Sequence, residues 1–180
     1  MSEPLLKQLE AQSKQQAQIE SDKKKTMTEI AEAKPSTASL AVSSIEECYK
    51  VKDKPSEELA DSLAVVQTLY YDGKQVDQSW KKSKDMLKKI SAKDDSKTVA
   101  KELNELSTKK RISEKALDQA EEQVENIKVK TYSPKTNSNG AANFVNWSEH
   151  VIYHQRLLNN LDAQDYYIND TKQNIKKTEA

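Results

Sequence analysis

The sequence predicts an all-α protein, an elongated antiparallel helical bundle built on a long coiled-coil-like hairpin. Glycine occurs twice and proline four times in 180 residues, so few tight turns are available. Charged residues make up 32% and hydrophobic residues 35% of the chain, a balance typical of long amphipathic helices. Apolar residues also recur at alternating spacings of three and four over long segments, which indicates helices with one buried face.

The first segment, residues 1–34, predicts a helical arm that is more polar than the rest. Its apolar side chains can share one stripe, which consists of Leu5, Leu9, Ile19 and Ile30. Polar residues interrupt that stripe, and a weak stripe seldom stabilises a helix by itself. Two interpretations follow: the arm is frayed or loosely docked, or it binds a partner or a second copy of the chain.

Beyond Lys34-Pro35, where a helix should end, residues 36–178 predict the antiparallel bundle. Ser56 is a favourable N-cap, and the acids after it suit the first turn of a helix. The expected helices cover residues 36–53, 56–91, 95–130 and 142–177.

The hairpin consists of the helices at 56–91 and 95–130. In an antiparallel pair the 3-4 stripes of the two helices can be aligned over their full lengths, with Leu69 opposite Leu117 and a layer of small residues at Gly73 and Ser113. The helix at 142–177 is expected to cover the apolar residues that the hairpin alone would expose.

Several function classes fit the composition poorly. Basic and acidic residues both number 29, and this balance argues against nucleic acid as a partner. No apolar run approaches the roughly 20 residues of a spanning helix. The first residues, Met-Ser-Glu-Pro, do not resemble a signal peptide, so we expect a cytoplasmic protein, with packaging in a virion or secretion without a signal as alternatives.

His150 and His154 are the sharpest chemical candidates, since histidines at i and i+4 can reach one metal ion. His154 also lies on the apolar stripe, and a hydrogen-bonded structural role is the favoured interpretation. The single cysteine, Cys48, lies on an apolar helix face and excludes an intramolecular disulfide. No phosphate loop or nucleophile motif is present, so we expect no catalytic residue, no cofactor and no enzyme activity.

Candidate binding residues are the arm stripe and Tyr132, an aromatic side chain in the predicted loop at residues 131–141. Three tyrosines of the last helix, at 153, 166 and 167, could also be interface anchors, although core positions are the favoured interpretation. The sequence therefore predicts a non-enzymatic structural or adaptor protein that binds proteins, or itself, within a larger assembly such as a virion, a multisubunit complex or a secreted helical substrate. The alternative is a peripheral membrane-surface binder that uses basic helix faces, such as the lysine-rich segment 81–89.

Overall fold

The computed structural model describes residues 3–32, 39–74, 78–132 and 138–179. Within these ranges the chain forms eight helices and no strand, so the all-α prediction is confirmed. The helices are α1 (Glu3–Glu32), α2 (Val42–Tyr49), α3 (Glu57–Tyr70), α4 (Trp80–Ile90), α5 (Ser96–Asn104), α6 (Leu106–Lys109), α7 (Glu114–Val129) and α8 (Asn139–Glu179). None of the helices in the described ranges combines the length and apolar character that crossing a membrane requires.

The helices divide into two compact units. The terminal unit contains α1 and the part of α8 from Arg156 onward, and the central unit contains the described residues between 39 and 155. This division differs from the predicted one, an arm at residues 1–34 and a bundle at residues 36–178. The C-terminal part of α8 groups with α1 because the two segments pack on each other.

The prediction of two uninterrupted hairpin helices at residues 56–91 and 95–130 was wrong. The first segment forms α3 and α4, which are separated by nine residues, and the second is divided among α5, α6 and α7. The helix expected at residues 36–53 is limited to α2 in the described chain, while the one expected at residues 142–177 corresponds to α8.

A left-handed C-terminal cap ends α3. Asp72 and Gly73 have φ angles of 57° and 71°, and the Gly73 amide donates to the Thr68 carbonyl at 2.9 Å. That hydrogen bond is the one expected of a Schellman motif, with Asp72 at the left-handed position. Ser79 then caps α4, since its hydroxyl accepts from the Lys82 amide at 3.4 Å. Residues 75–77 of the first predicted hairpin helix lie outside the described residues.

The break before α7 lies beside the break that follows α3. Ser113 caps α7 by accepting from the Ala116 amide at 3.2 Å, and its own amide donates to the Asp72 carboxylate at 2.7 Å. Further along, Thr68 of α3 donates to Gln123 of α7 at 2.7 Å. These contacts place the end of α3 beside the start of α7, so the two helices run antiparallel. Gly73 and Ser113 were predicted to form a layer of small residues inside the hairpin. Gly73 instead lies just after the end of α3, and Ser113 is the N-cap of α7.

The core of the central unit surrounds α3. Five consecutive residues of this helix, 65–69, have no solvent exposure, so this part of α3 is enclosed on every side. Most of the remaining core comes from the other helices of the unit. Its largest fully buried apolar side chains are Ile45, Leu63, Leu69, Met86, Leu87, Leu103, Ile112, Leu117, Phe144 and Trp147.

A buried glutamine organises the connection between α6 and α7. Gln155 of α8 has no solvent exposure, and its Oε1 accepts from the Ile112 amide at 2.9 Å. Its Nε2 donates to the carbonyls of Lys110 at 2.8 Å and Ser107 at 3.1 Å. One side chain thus satisfies several main-chain groups that no helix could satisfy, which is the usual condition for burying a connecting segment.

Candidate functional site

The predicted stripe of α1 lies partly in the terminal unit's helix-helix seam. Leu9, Ile19 and Ile30 are half-buried, whereas Leu5 is 38% exposed near the start of the helix. On the facing part of α8, Ile168 is 7% exposed. The inner part of the stripe is therefore already covered by this chain, and its first residue is left accessible.

Polar residues occupy much of the same seam. Lys23 of α1 forms an ion pair with Asp165 of α8 at 2.5 Å, and Asn160 donates to Thr26 at 3.4 Å. The Oε1 atoms of Gln12 and Gln164 are enclosed, and neither has a hydrogen-bond partner among the described residues. An enclosed polar atom without a partner costs about 1–3 kcal/mol. The described seam therefore combines half-buried apolar side chains with polar groups, some of them unpaired.

The outer faces of the terminal unit carry large exposed side chains. Tyr166 and Tyr167 are 67% and 56% exposed, and their rings meet edge to face with centroids 5.6 Å apart. The favoured core interpretation of these tyrosines was therefore wrong, as it was for Tyr153, which is 50% exposed in the central unit. We call the exposed set the terminal-unit surface: it consists of Leu5, Leu6, Met27, Tyr166 and Tyr167.

Tyr132, the other predicted binding residue, is held within the central unit. Its hydroxyl donates to the Asp61 carboxylate of α3 at 2.7 Å, and Lys130 lies over its ring at 5.4 Å. Burial, followed by the hydrogen bond to Asp61, raises the pKa of Tyr132 well above its usual value. This side chain joins the end of α7 to α3, and residues 133–137 of the predicted loop lie outside the described residues.

The two histidines lie on one face of α8 in the central unit. Their rings are nearly parallel, with an interplanar angle of 4° and centroids 6.3 Å apart. Both rings are partly exposed, and His154 Nδ1 lies 2.5 Å from the Ser107 hydroxyl oxygen. The prediction of a hydrogen-bonded His154 thus has a specific partner, although neither ring is enclosed in the core.

A groove of about 370 Å³ lies between the end of α2 and α4. Cys48 and Tyr49 form one wall, and Lys84, Lys88 and Asp94 contribute to the others. Burial, with a smaller contribution from Glu47, raises the pKa of the Cys48 thiol to about 12. Because the thiolate is the nucleophilic form, this thiol is held in its unreactive state at neutral pH.

Comparisons with protein-family models, curated proteins and solved structures found no match for this chain. In the described ranges, no cluster of three or more His, Cys, Asp or Glu side chains could hold a metal ion. Large accessible apolar side chains lie in both units: Val129, 80% exposed, and Tyr153 in the central unit, and the terminal-unit surface in the other. The sequence pattern favoured core positions for Tyr166 and Tyr167, because an aromatic residue at helical spacing does not reveal which face is covered.

Proposed function

We propose that this protein is a non-enzymatic structural or adaptor protein, which binds a partner protein through its terminal-unit surface within a larger assembly. The observation that carries the proposal is the exposure of Tyr166 and Tyr167 on one helix, together with Leu6 and Met27 on the other. Tyrosine is enriched among the residues that dominate protein interfaces, because its ring buries a large area while its hydroxyl remains bonded.

The sparse packing of α1 supports this proposal. Over its 30 residues α1 buries a single side chain, Thr26. Helices depend mainly on tertiary packing for stability, and a helix that packs so little gains from any partner that binds its folded form. We further propose that the coiled-coil pairing expected of the hairpin is used here instead, between α1 and α8, with the polar seam fixing their alignment.

The central unit would then act as the scaffold. Some of its basic residues pair with its own acids, as Lys88 does with Asp94 at 2.9 Å and Lys109 with Glu105 at 2.6 Å. Such pairs reduce the attraction of these helix faces for anionic lipid, so partner-protein binding is favoured over membrane-surface binding.

The test compares two tyrosine variants in the cells that produce the protein. Tyr166→Ala/Tyr167→Ala removes both aromatic side chains of the terminal unit, and Tyr153→Ala removes one from the central unit as a matched control on the same helix. Sedimentation of cell extracts should place the wild-type chain and the control in a complex larger than 20.4 kDa. The double variant should sediment as the free chain, because its interface anchors are gone.

Light scattering on the purified wild-type chain separates the two kinds of partner. A monomer in purified form and a complex in extract indicate a different protein, whereas a purified dimer indicates self-association through the same surface. The proposal fails if the double variant stays in a complex of wild-type size, or if the wild-type chain sediments at 20.4 kDa in extract.

A further inference from the structure

The histidine pair is a candidate metal site, and it lies in the central unit, apart from the terminal-unit surface. His150 and His154 are the only histidines of the chain, and they lie one helical turn apart on α8. Residues four apart lie on the same face of a helix, and both rings are partly exposed and nearly parallel. We propose that these two side chains bind one divalent transition-metal ion of the kind that prefers imidazole, namely Cu²⁺, Ni²⁺ or Zn²⁺.

Ring geometry defines what binding requires. A metal–nitrogen bond to histidine is about 2.0–2.1 Å, so the two ligand nitrogens must lie within about 4 Å of each other. The ring centroids are 6.3 Å apart. One ring must therefore rotate toward the other. His150 is the ring that moves, because among the described residues it has no hydrogen-bond partner that would hold it.

Ser107 makes His154 the fixed member of the pair. Its hydroxyl oxygen lies 2.5 Å from His154 Nδ1, and Gln155 Nε2 donates to the same oxygen at 3.1 Å. When Nδ1 carries the proton and donates to Ser107, Nε2 is left with a free electron pair. A second hydrogen bond that fixes the tautomer and orientation of a ligating histidine is typical of protein metal sites.

The surroundings of the two histidines both favour and oppose the binding of a metal ion. Burial lowers the pKa of both histidines, which favours the neutral imidazole that binds metal. Arg111 lies near His154 and contributes to that lowered pKa. The same positive charge opposes a bound cation. Glu149, the acid next to His150, is paired with Lys128 at 3.2 Å. The two imidazoles are thus the protein ligands, and water fills the other coordination positions.

Isothermal titration of the full chain, without a histidine tag, tests the site with NiCl₂ and CuCl₂. We expect one ion per chain, with Cu²⁺ bound more tightly than Ni²⁺ as the Irving–Williams order requires. His150→Gln and His154→Gln should each weaken Ni²⁺ binding by more than about tenfold, since either change removes the chelate. Ser107→Ala should weaken it by about tenfold through loss of orientation.

Two further variants distinguish binding at the histidine pair from binding by other side chains. Arg111→Ala should strengthen Ni²⁺ binding because it removes a nearby positive charge, and Cys48→Ala should leave binding unchanged because the thiol is buried. Imidazole nitrogen signals in NMR spectra provide an independent readout: both should broaden together as paramagnetic Ni²⁺ is added. The proposal is overturned if wild-type chain shows no saturable binding up to about 1 mM Ni²⁺, far above the range of protein metal sites. It is equally overturned if binding persists in the His150→Gln/His154→Gln variant.

Discussion

Glu47 of α2 accepts a hydrogen bond from the Gly140 amide in the first turn of α8, at 2.8 Å. Its other oxygen accepts from the Ser138 hydroxyl at 2.8 Å. A carboxylate at this position satisfies main-chain donors and interacts favourably with the helix dipole. In return, Asn143 of α8 accepts from the Ala41 amide, directly before α2, at 2.9 Å. Each of these two helices therefore caps the other.

Replacing Gly140 with alanine should destabilise the central unit. An alanine Cβ would lie 1.9 Å from Glu47 Oε2, so the carboxylate must move and lose the cap. We expect a loss of about 1–2 kcal/mol in the free energy of unfolding, even though alanine is otherwise favoured over glycine in a helix by about 1 kcal/mol. Urea denaturation followed by tryptophan fluorescence measures this change, since both tryptophans, Trp80 and Trp147, lie in the central unit.

The Glu47→Ala background supplies the control for that measurement. Without the carboxylate there is nothing for the new methyl group to displace, so Gly140→Ala should be neutral or stabilising there. If Gly140→Ala instead raises stability when Glu47 is present, the Glu47 cap contributes little.

Gln67 and Gln155, both fully buried in the described chain, should differ in their contribution to stability. Gln155→Met leaves the Ile112 amide and the carbonyls of Lys110 and Ser107 without their partner, and it should cost about 2–4 kcal/mol. Gln67→Met loses the donated bonds to Ser79 and Ser83, but it also removes an enclosed oxygen that has no partner among the described residues. Its cost should be nearer about 1 kcal/mol. Equal losses in urea denaturation, or the reverse order, would contradict this account of the α6–α7 connection.

Asp72 should tolerate asparagine better than alanine. Its φ of 57° disfavours most side chains, and its carboxylate accepts from the Ser113 amide at 2.7 Å. Asparagine adopts this conformation readily and keeps an acceptor oxygen, whereas Asp72→Ala should lose about 1–2 kcal/mol of stability. Asp72→Gly should fall between the two, because it relieves the backbone but removes the acceptor. An alanine variant as stable as the asparagine variant in urea denaturation would argue that the cap does not set the end of α3.

The central unit should lose stability as the pH falls below about 6.5. Burial lowers the pKa of His150 and His154 below the ordinary value of 6.5, which applies in the unfolded chain. The unfolded chain therefore binds more protons through this range, and stability rises with pH. Between pH 7.5 and 5.5, roughly the range in which histidine titrates, the urea midpoint should fall in wild-type protein and fall less in His154→Gln. An identical pH dependence in the two proteins would assign the effect to other groups.

The sequence predicted which segments are helical more accurately than where the helices end. Apolar periodicity continues through Gly73 and Ser113, so a 3-4 pattern alone extends the helices across both. The capping signals were nevertheless present: Gly73 follows the left-handed residue that ends α3, and Ser79 and Ser113 are N-caps. Periodicity reports which face can be buried, whereas caps determine where a helix stops.

The candidate binding surface could be predicted only in part. The stripe of α1 was identified, but its inner residues face α8, because Lys23 and Thr26 find polar partners there. A polar residue in a stripe was interpreted as an interruption, although it can serve as a specific contact. The exposure of Tyr166 and Tyr167 depends on which helix covers which face, and that information lies in long-range contacts rather than in local spacing.

Photo-crosslinking from α8 tests the central claim most directly. A photoreactive amino acid replaces Tyr166, 67% exposed in the terminal unit, or Tyr153, 50% exposed in the central unit, in the cells that produce the protein. If the terminal-unit surface binds the partner, illumination should give a discrete crosslinked species from position 166 and little from position 153. Equal crosslinking from both positions, or none from position 166, would contradict the proposed binding surface.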